Sequence, residues 1–221
     1  MRIQKILHAY QDCHYAKRYR RFIKAIRRVE LIVKPGSHAL TDAVIDNYYK
    51  LLAYKDEYEV ARLHSNKKFL AEIREQFGDD AKISFSLAPP LLSRTDPNTG
   101  RPKKHLFGAW LIPVFRTLHR MRFLRGTHFD VFGFSSERRA ERRLIADYEN
   151  LMQLVVAHLT TRNFPVALEL LALPQMVRGF GPIKMNAIAH YDEMRQILLQ
   201  RLLCGGLQII ATSAVASSTT A

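Results

Sequence analysis

Residues 48–63, YYKLLAYKDEYEVARL, decide the architecture of this chain. No Gly or Pro interrupts them, and their helix formers predict one helix from about Thr41 to about His64. Thr41 or Asp42 is the expected cap. At about 100° per residue, Leu51, Tyr54, Tyr58 and Ala61 share one arc, with Lys55 and Arg62 at its edge. Leu52, Asp56, Glu59 and Leu63 occupy the next arc, and Ala53 and Val60 lie opposite Leu51. Glu57 falls between Ala53/Val60 and Ala61, with apolar neighbours on both sides. A helix with no clean polar face belongs inside a domain. Its charges must then be paired, because an uncompensated buried carboxylate is very costly.

Three candidate pairings follow. Glu57 is expected to meet an arginine or tyrosine from another segment. Arg125 in RGTHFD and Arg178 in RGFG, both in Gly-containing loops, are the arginines singled out. Lys55–Glu59 and Glu59–Arg62 can pair within the helix. The run Lys55-Asp56-Glu57-Tyr58 also has the residue types of an acid/base site. Structural ion pairs produce the same pattern and are favoured here.

Outward from this stretch, the pattern is mostly helical. Residues 3–32 keep an apolar spacing of three to four through Ile3, Ile6, Leu7, Tyr10, Tyr15, Tyr19, Phe22, Ile26 and Val29. Lys17, Arg18, Arg20, Arg21, Lys24, Arg27 and Arg28 lie between, so this is a basic amphipathic helix ended by KPGS at 34–37. A short helix is expected over 66–77, stopped at Gly78. Ile83, Phe85 and Leu87 alternate with polar residues, DPNTG at 96–100 is a turn signal, and KKHLF at 103–107 offers a return strand. Helices are further predicted over 108–124, from Ser135 or Ser136 to about Thr160, from Pro165 to near Pro174, and over 185–203. The helix after Ser135 shows a core face of Ala140, Leu144, Tyr148, Leu151, Val155 and Leu159. The predicted fold is mostly α, a multi-helix domain with one β-hairpin or β-arm insertion around 82–107.

Composition narrows function only in part. The 221 residues carry 34 Lys+Arg against 20 Asp+Glu, a net charge of +14. That raises nucleic acid, an anionic cofactor, an acidic partner or an anionic membrane as binding classes. The two cysteines, Cys13 and Cys204, cannot form a zinc site, a disulfide framework or an iron–sulfur cluster. No HExxH, G-x-S-x-G, Walker loop or G-x-G-x-x-G occurs, and no residues are assigned to catalysis, cofactor or metal. RGFG at 178–181 can present N–H groups to an anion, although a tight turn is favoured. The stretch from Leu202 to Ala216 is short and polar for a membrane span. No secretory signal is apparent at the start, and a cytoplasmic protein is expected. ERRAERR at 137–143 is basic but carries Glu137 and Glu141, so nucleic acid is not the favoured partner.

In chain order, AYQDCHYAKRY, YYKLLAYKDEYEVARL, SFSLAPPLLSRTDPNTGRPKK, FGAW, LRGTHFDVFGFSSERRAERRLIADYE and LALPQMVRGFGPIK resemble one known region. It is the C-terminal region of the long, fused bacterial indolepyruvate:ferredoxin oxidoreductases, of the 2-oxoacid:ferredoxin oxidoreductase family. The similarity covers roughly residues 5–195. In that family thiamine diphosphate attacks an aryl-2-oxoacid, decarboxylation follows, iron–sulfur clusters pass electrons to ferredoxin, and coenzyme A takes the acyl group. The resemblance implies that this chain is part of such an enzyme, not that it performs the reaction. In the fused enzymes the thiamine diphosphate domains and cluster cysteines lie N-terminal to this region, and no GDG motif for that cofactor is present here.

The resemblance implies a division into residues 1–34, a helix like the end of the γ catalytic domain, residues 35–203, a helical C-terminal domain, and residues 204–221, a divergent tail expected to be disordered. A start inside a helix fits a gene fragment. The expected work is packing against other domains or subunits of the oxidoreductase, with acidic ferredoxin as a further partner of the basic surface. The alternative is a free-standing basic module that binds nucleic acid or an acidic protein.

Overall fold

The computed structural model describes residues 2–78, 80–88 and 103–204. The fold is mostly α, with a small antiparallel pair of strands. The expected first helix is two: α1 (Arg2–Tyr10) and α2 (Cys13–Val33). Asp12 separates them in an extended conformation, and its carboxylate accepts the Tyr15 N–H at 2.7 Å. An aspartate in that role caps a new helix rather than continuing the old one. Tyr10 and Tyr15 stack across the break, their centroids 6.0 Å apart.

Beyond α2 the chain turns at Gly36, whose φ of +82° suits glycine, and enters α3 (Ala39–Leu52). Neither Thr41 nor Asp42 caps this helix. The N-cap residue is His38, and its side chain makes no capping bond. The cap comes instead from Glu30 near the end of α2, a fully buried residue. Its carboxylate accepts from Leu40 N at 2.9 Å, Thr41 N at 3.0 Å, Thr41 Oγ1 at 2.5 Å and Ser37 Oγ at 2.8 Å. A negative charge on first-turn amides also opposes the helix dipole favourably.

The continuous helix expected through 41–64 is likewise broken. After α3, residues 53–56 leave the helix, and α4 (Glu57–His64) starts anew. Asp56 is its cap and accepts the Glu59 N–H at 2.8 Å. α5 (Lys67–Phe77) follows, capped by Asn66 and ended at Gly78. Strands β1 (Ser84–Leu87) and β2 (His105–Gly108) pair antiparallel, with Phe85 opposite Phe107. The DPNTG turn lies outside the described residues. α6 (Leu111–Arg120) passes into a 3-10 turn over Met121–Leu124. Ser135 caps α7 (Ser136–His158) through the Arg138 N–H. α8 (Phe164–Ala172) ends in a 3-10 turn, and α9 (Pro182–Leu203) completes the described chain. Of the tail expected to be disordered, all but Cys204 lies outside the described residues.

The main core joins Leu7 of α1, Tyr19, Phe22 and Ile26 of α2, Tyr48 of α3, Tyr148 of α7, Ala167 of α8 and Tyr191 of α9. Residues before and after position 34 thus share one core. Tyr48 sits at its centre, 5.6 Å from the rings of Tyr19 and Phe22 and 6.0 Å from that of Tyr148. Its hydroxyl donates to Glu149, which also takes both Nε and a terminal nitrogen of Arg18 at 2.6 and 2.7 Å. A smaller second core gathers Ala61, Phe85, Leu111 and Phe115, so α4 links the hairpin and α6 to the larger body.

Burial opposes ionisation of Glu30, but the bonds from Thr41, Leu40 and Ser37 prevail and hold its carboxyl below the usual glutamate range. A lowered carboxyl contributes stability that is complete above the unfolded value, about 4.3, and is lost as pH falls through the folded one. Glu30→Ala is expected to lower stability at pH 7 by about 2–4 kcal/mol in urea unfolding. Glu30→Gln should flatten the loss of stability between pH 5 and 3, and a profile identical to the native one would remove Glu30 from this role.

Candidate functional site

The break at residues 53–56 brings the charged residues of the opening stretch to three different places. Asp56, 3% exposed at its side chain, faces Arg125, 6% exposed. The pair is bidentate, Nε to Oδ2 at 2.5 Å and a terminal nitrogen to Oδ1 at 2.9 Å. The other terminal nitrogen of Arg125 donates to Tyr10 O at 2.8 Å and Gln11 Oε1 at 2.6 Å. The guanidinium lies 3.8 Å from the centroid of the Tyr10 ring and 5.5 Å from that of Tyr58. One arginine therefore ties the end of α1, the start of α4 and the loop after α6. Burial disfavours its charge, yet the bond to Asp56 holds its pKa above the ordinary arginine value. The network continues through Tyr58, whose hydroxyl donates to Asp130 Oδ1 at 3.2 Å, and Asp130 Oδ2 accepts the Gly126 N–H at 2.8 Å.

Glu57 points elsewhere. Its Oε2 lies 3.4 Å from Arg138 Nε on α7, so its partner is neither Arg125 nor Arg178. Arg138 is shared with Glu141 at 2.5 Å, and Glu141 is also reached by Lys184 of α9. Burial raises the Glu57 carboxyl above its usual range, against the pull of Arg138. Glu59 pairs with Arg62 through two bonds of 2.7 and 2.6 Å. Lys55 does not pair with Glu59; it is exposed and meets no carboxylate among the described residues. Arg178 is exposed, and its Nε donates to Gln175 O at 2.9 Å.

Arg138, Glu141 and Lys184 were not among the ion-pair candidates of the sequence, where ERRAERR at 137–143 was weighed only as a basic stretch. The signal available was position: Glu141 lies one residue from the core residue Ala140, and both are buried.

The arrangement holds charges rather than exposing them to a substrate. Asp56, Tyr58, Glu59 and Asp130 are all engaged by other protein groups. Among the described residues no group of three or more His, Cys, Asp or Glu is placed to hold a metal. Cys13 and Cys204 are both free and exposed, two thiols where a four-iron cluster needs four. The chain's own residues therefore do not fit an iron–sulfur cluster.

Two cavities flank the network. One of about 590 Å³ lies between α3, α7 and the turn before α9, with Lys50, Tyr54, Arg178 and Lys184 on its walls. The other, about 410 Å³, is walled by Phe107, Trp110, Val114, Phe115 and Phe132, with Lys55, Glu57 and Arg138 at its edge.

A family model described as a family of unknown function, DUF6537, matches residues 2–196. The chain belongs to the DUF6537 family. The match spans every described element from α1 into α9, including both members of the Asp56–Arg125 pair. Neither a curated protein nor a solved structure matches the chain.

Arg125→Met is expected to cost about 3–5 kcal/mol in urea unfolding, because Asp56 is left buried and alone. Glu57→Gln behaves oppositely. A raised carboxyl contributes stability below its unfolded value that is lost as pH rises through the folded one. Glu57→Gln should therefore gain on the native protein between pH 4 and 7. A Glu57→Gln loss as large as that of Arg125→Met would contradict the assignment.

Proposed function

We propose that this DUF6537 chain is a non-catalytic helical domain of a thiamine-diphosphate- and iron–sulfur-dependent 2-oxoacid:ferredoxin oxidoreductase of the indolepyruvate type. It packs against the catalytic domains or subunits of that enzyme in the cytoplasm. The motif resemblance supports the enzyme class. The observation that carries the packing role is the apolar cleft between the hairpin, α6 and the loop before α7. Trp110 is 64% exposed and Val114 47% exposed at this cleft. Phe123, Phe129, Val131 and Phe134, in the segment that follows, are 58–77% exposed. Large apolar side chains gathered at the surface mark contact with another protein. The occupant proposed is the portion of the enzyme that carries thiamine diphosphate. Among the described residues no helix is long and apolar enough to cross a membrane.

A second reading rests on α2. Lys17, Arg20, Arg21, Lys24 and Arg28 line one shallow depression on it. Such a strip suits acidic ferredoxin within the first reading, or nucleic acid or another acidic protein if the chain acts alone.

The purified chain should reduce neither ferredoxin nor a viologen dye with indolepyruvate. It should associate with the product of an adjacent reading frame that carries the thiamine diphosphate and cysteine-cluster motifs. Trp110→Glu should weaken that association by about tenfold or more, as for an aromatic anchor, with little change in melting temperature. Turnover by the chain alone would defeat the non-catalytic assignment. Association unaffected by Trp110→Glu would move the contact elsewhere.

A further inference from the structure

The larger cavity has a charge imbalance that the ion-pair network does not explain. Five cationic side chains line it, Lys50, Lys55, Arg138, Arg178 and Lys184, against the carboxylates Glu137 and Glu141. Arg138 and Lys184 are the two those carboxylates engage. Lys50, Lys55 and Arg178 meet no carboxylate among the described residues. Lys50 extends toward the turn before α9 and donates to Pro174 O at 2.7 Å and Gln175 O at 3.2 Å. Arg178 is anchored through its Nε to that same Gln175 carbonyl, which leaves its terminal nitrogens available. Burial lowers the pKa of Lys50, and repulsion from Arg178 and Lys184 lowers it further. Cations from α3, the turn and α9 are thus held close enough to repel one another, where an anion would relieve them.

The turn itself completes the surroundings. Gly179 and Gly181 both have positive φ, +94° and +57°. At Gly179 a Cβ would also fall 2.8 Å from Ile183 Cγ2, so the turn must be glycine. Gly181 begins α9 with no side-chain cap. Tyr54, Val177 and Phe180 supply an apolar surface next to the cations.

We infer that this cavity binds a small phosphate-bearing molecule, its phosphate among Lys50, Arg178 and Lys184 and its planar or apolar body against Tyr54 and Phe180. Guanidinium and ammonium groups with free N–H donors suit phosphate oxygens. A volume of about 590 Å³ is that of a small-molecule site. The inference is independent of the oxidoreductase reading, since it concerns this chain's own residues.

Calorimetric titration of the full chain with inorganic pyrophosphate and with AMP tests it. Both should bind, AMP the tighter per phosphate. Arg178→Gln, at an exposed position, should weaken each by about tenfold, the loss of one charge-assisted contact. Lys50→Gln should do the same, with its circular dichroism melt compared to confirm folding. Lys67→Gln, at an exposed position on α5 outside the cavity, removes the same single charge and should leave binding within about twofold, as a screened distant charge does. Equal weakening by the α5 variant would reduce the effect to net charge and overturn the site. Binding to phosphatidylglycerol vesicles with no response to pyrophosphate or AMP would overturn it as well, as would no binding at all.

Discussion

The bidentate contact between Asp56 and Arg125 is the constraint on which the rest of the structure depends. It is buried on both sides, and it touches three segments distant in sequence: the end of α1, the start of α4 and the loop after α6. A buried pair of this kind adds little stability over a well-packed apolar pair, but losing one member is severe. What the pair does secure is geometry. Asp56 must leave the helix to reach Arg125, and in doing so it caps α4 and turns that helix toward the hairpin and α6. The smaller core then forms on α4, and the two cavities open on either side of the break.

The second tier of charges follows from the same break. With the helix interrupted, Glu57 begins α4 instead of lying mid-helix, and it reaches Arg138 on α7. Arg138 connects through Glu141 to Lys184 on α9. The chain of contacts joins α4, α7 and α9 and uses up the carboxylates near the larger cavity. Lys50 and Arg178 remain without one. The structural ion pairs and the cationic cavity are therefore two consequences of one arrangement, in which acids are committed inward and several cations are left over.

Much of the architecture was legible in the sequence. The helix after Ser135 was visible in the spacing from Ala140 to Val155, and the hairpin in the alternation around Phe85. The two missed breaks share a cause. Neither Asp12 nor Asp56 stands beside a Gly or Pro, and apolar spacing continues across both. For Asp56 a local signal existed, since Asp56 and Glu59 have the spacing of a capping box. The Glu30 cap left no local trace, because a carboxylate on one helix capping the next depends on the turn at Gly36. At the site, Arg125 was offered as a partner for Glu57; its carboxylate is Asp56 instead, because the break at residues 53–56 re-aims the acids that an unbroken helix would have placed. Arg178 was offered for the same pairing but is exposed, in a turn whose neighbours Lys50 and Lys184 come from segments that only folding brings near.

Asp56 and Arg125 thus act as one structural unit. A double-mutant cycle with Asp56→Asn, Arg125→Met and the double variant, followed by urea unfolding at pH 7, measures it most directly. A coupling energy of about 2 kcal/mol or more is expected, with the double variant more stable than the sum of the single losses allows. Additive losses, with coupling near zero, would contradict it.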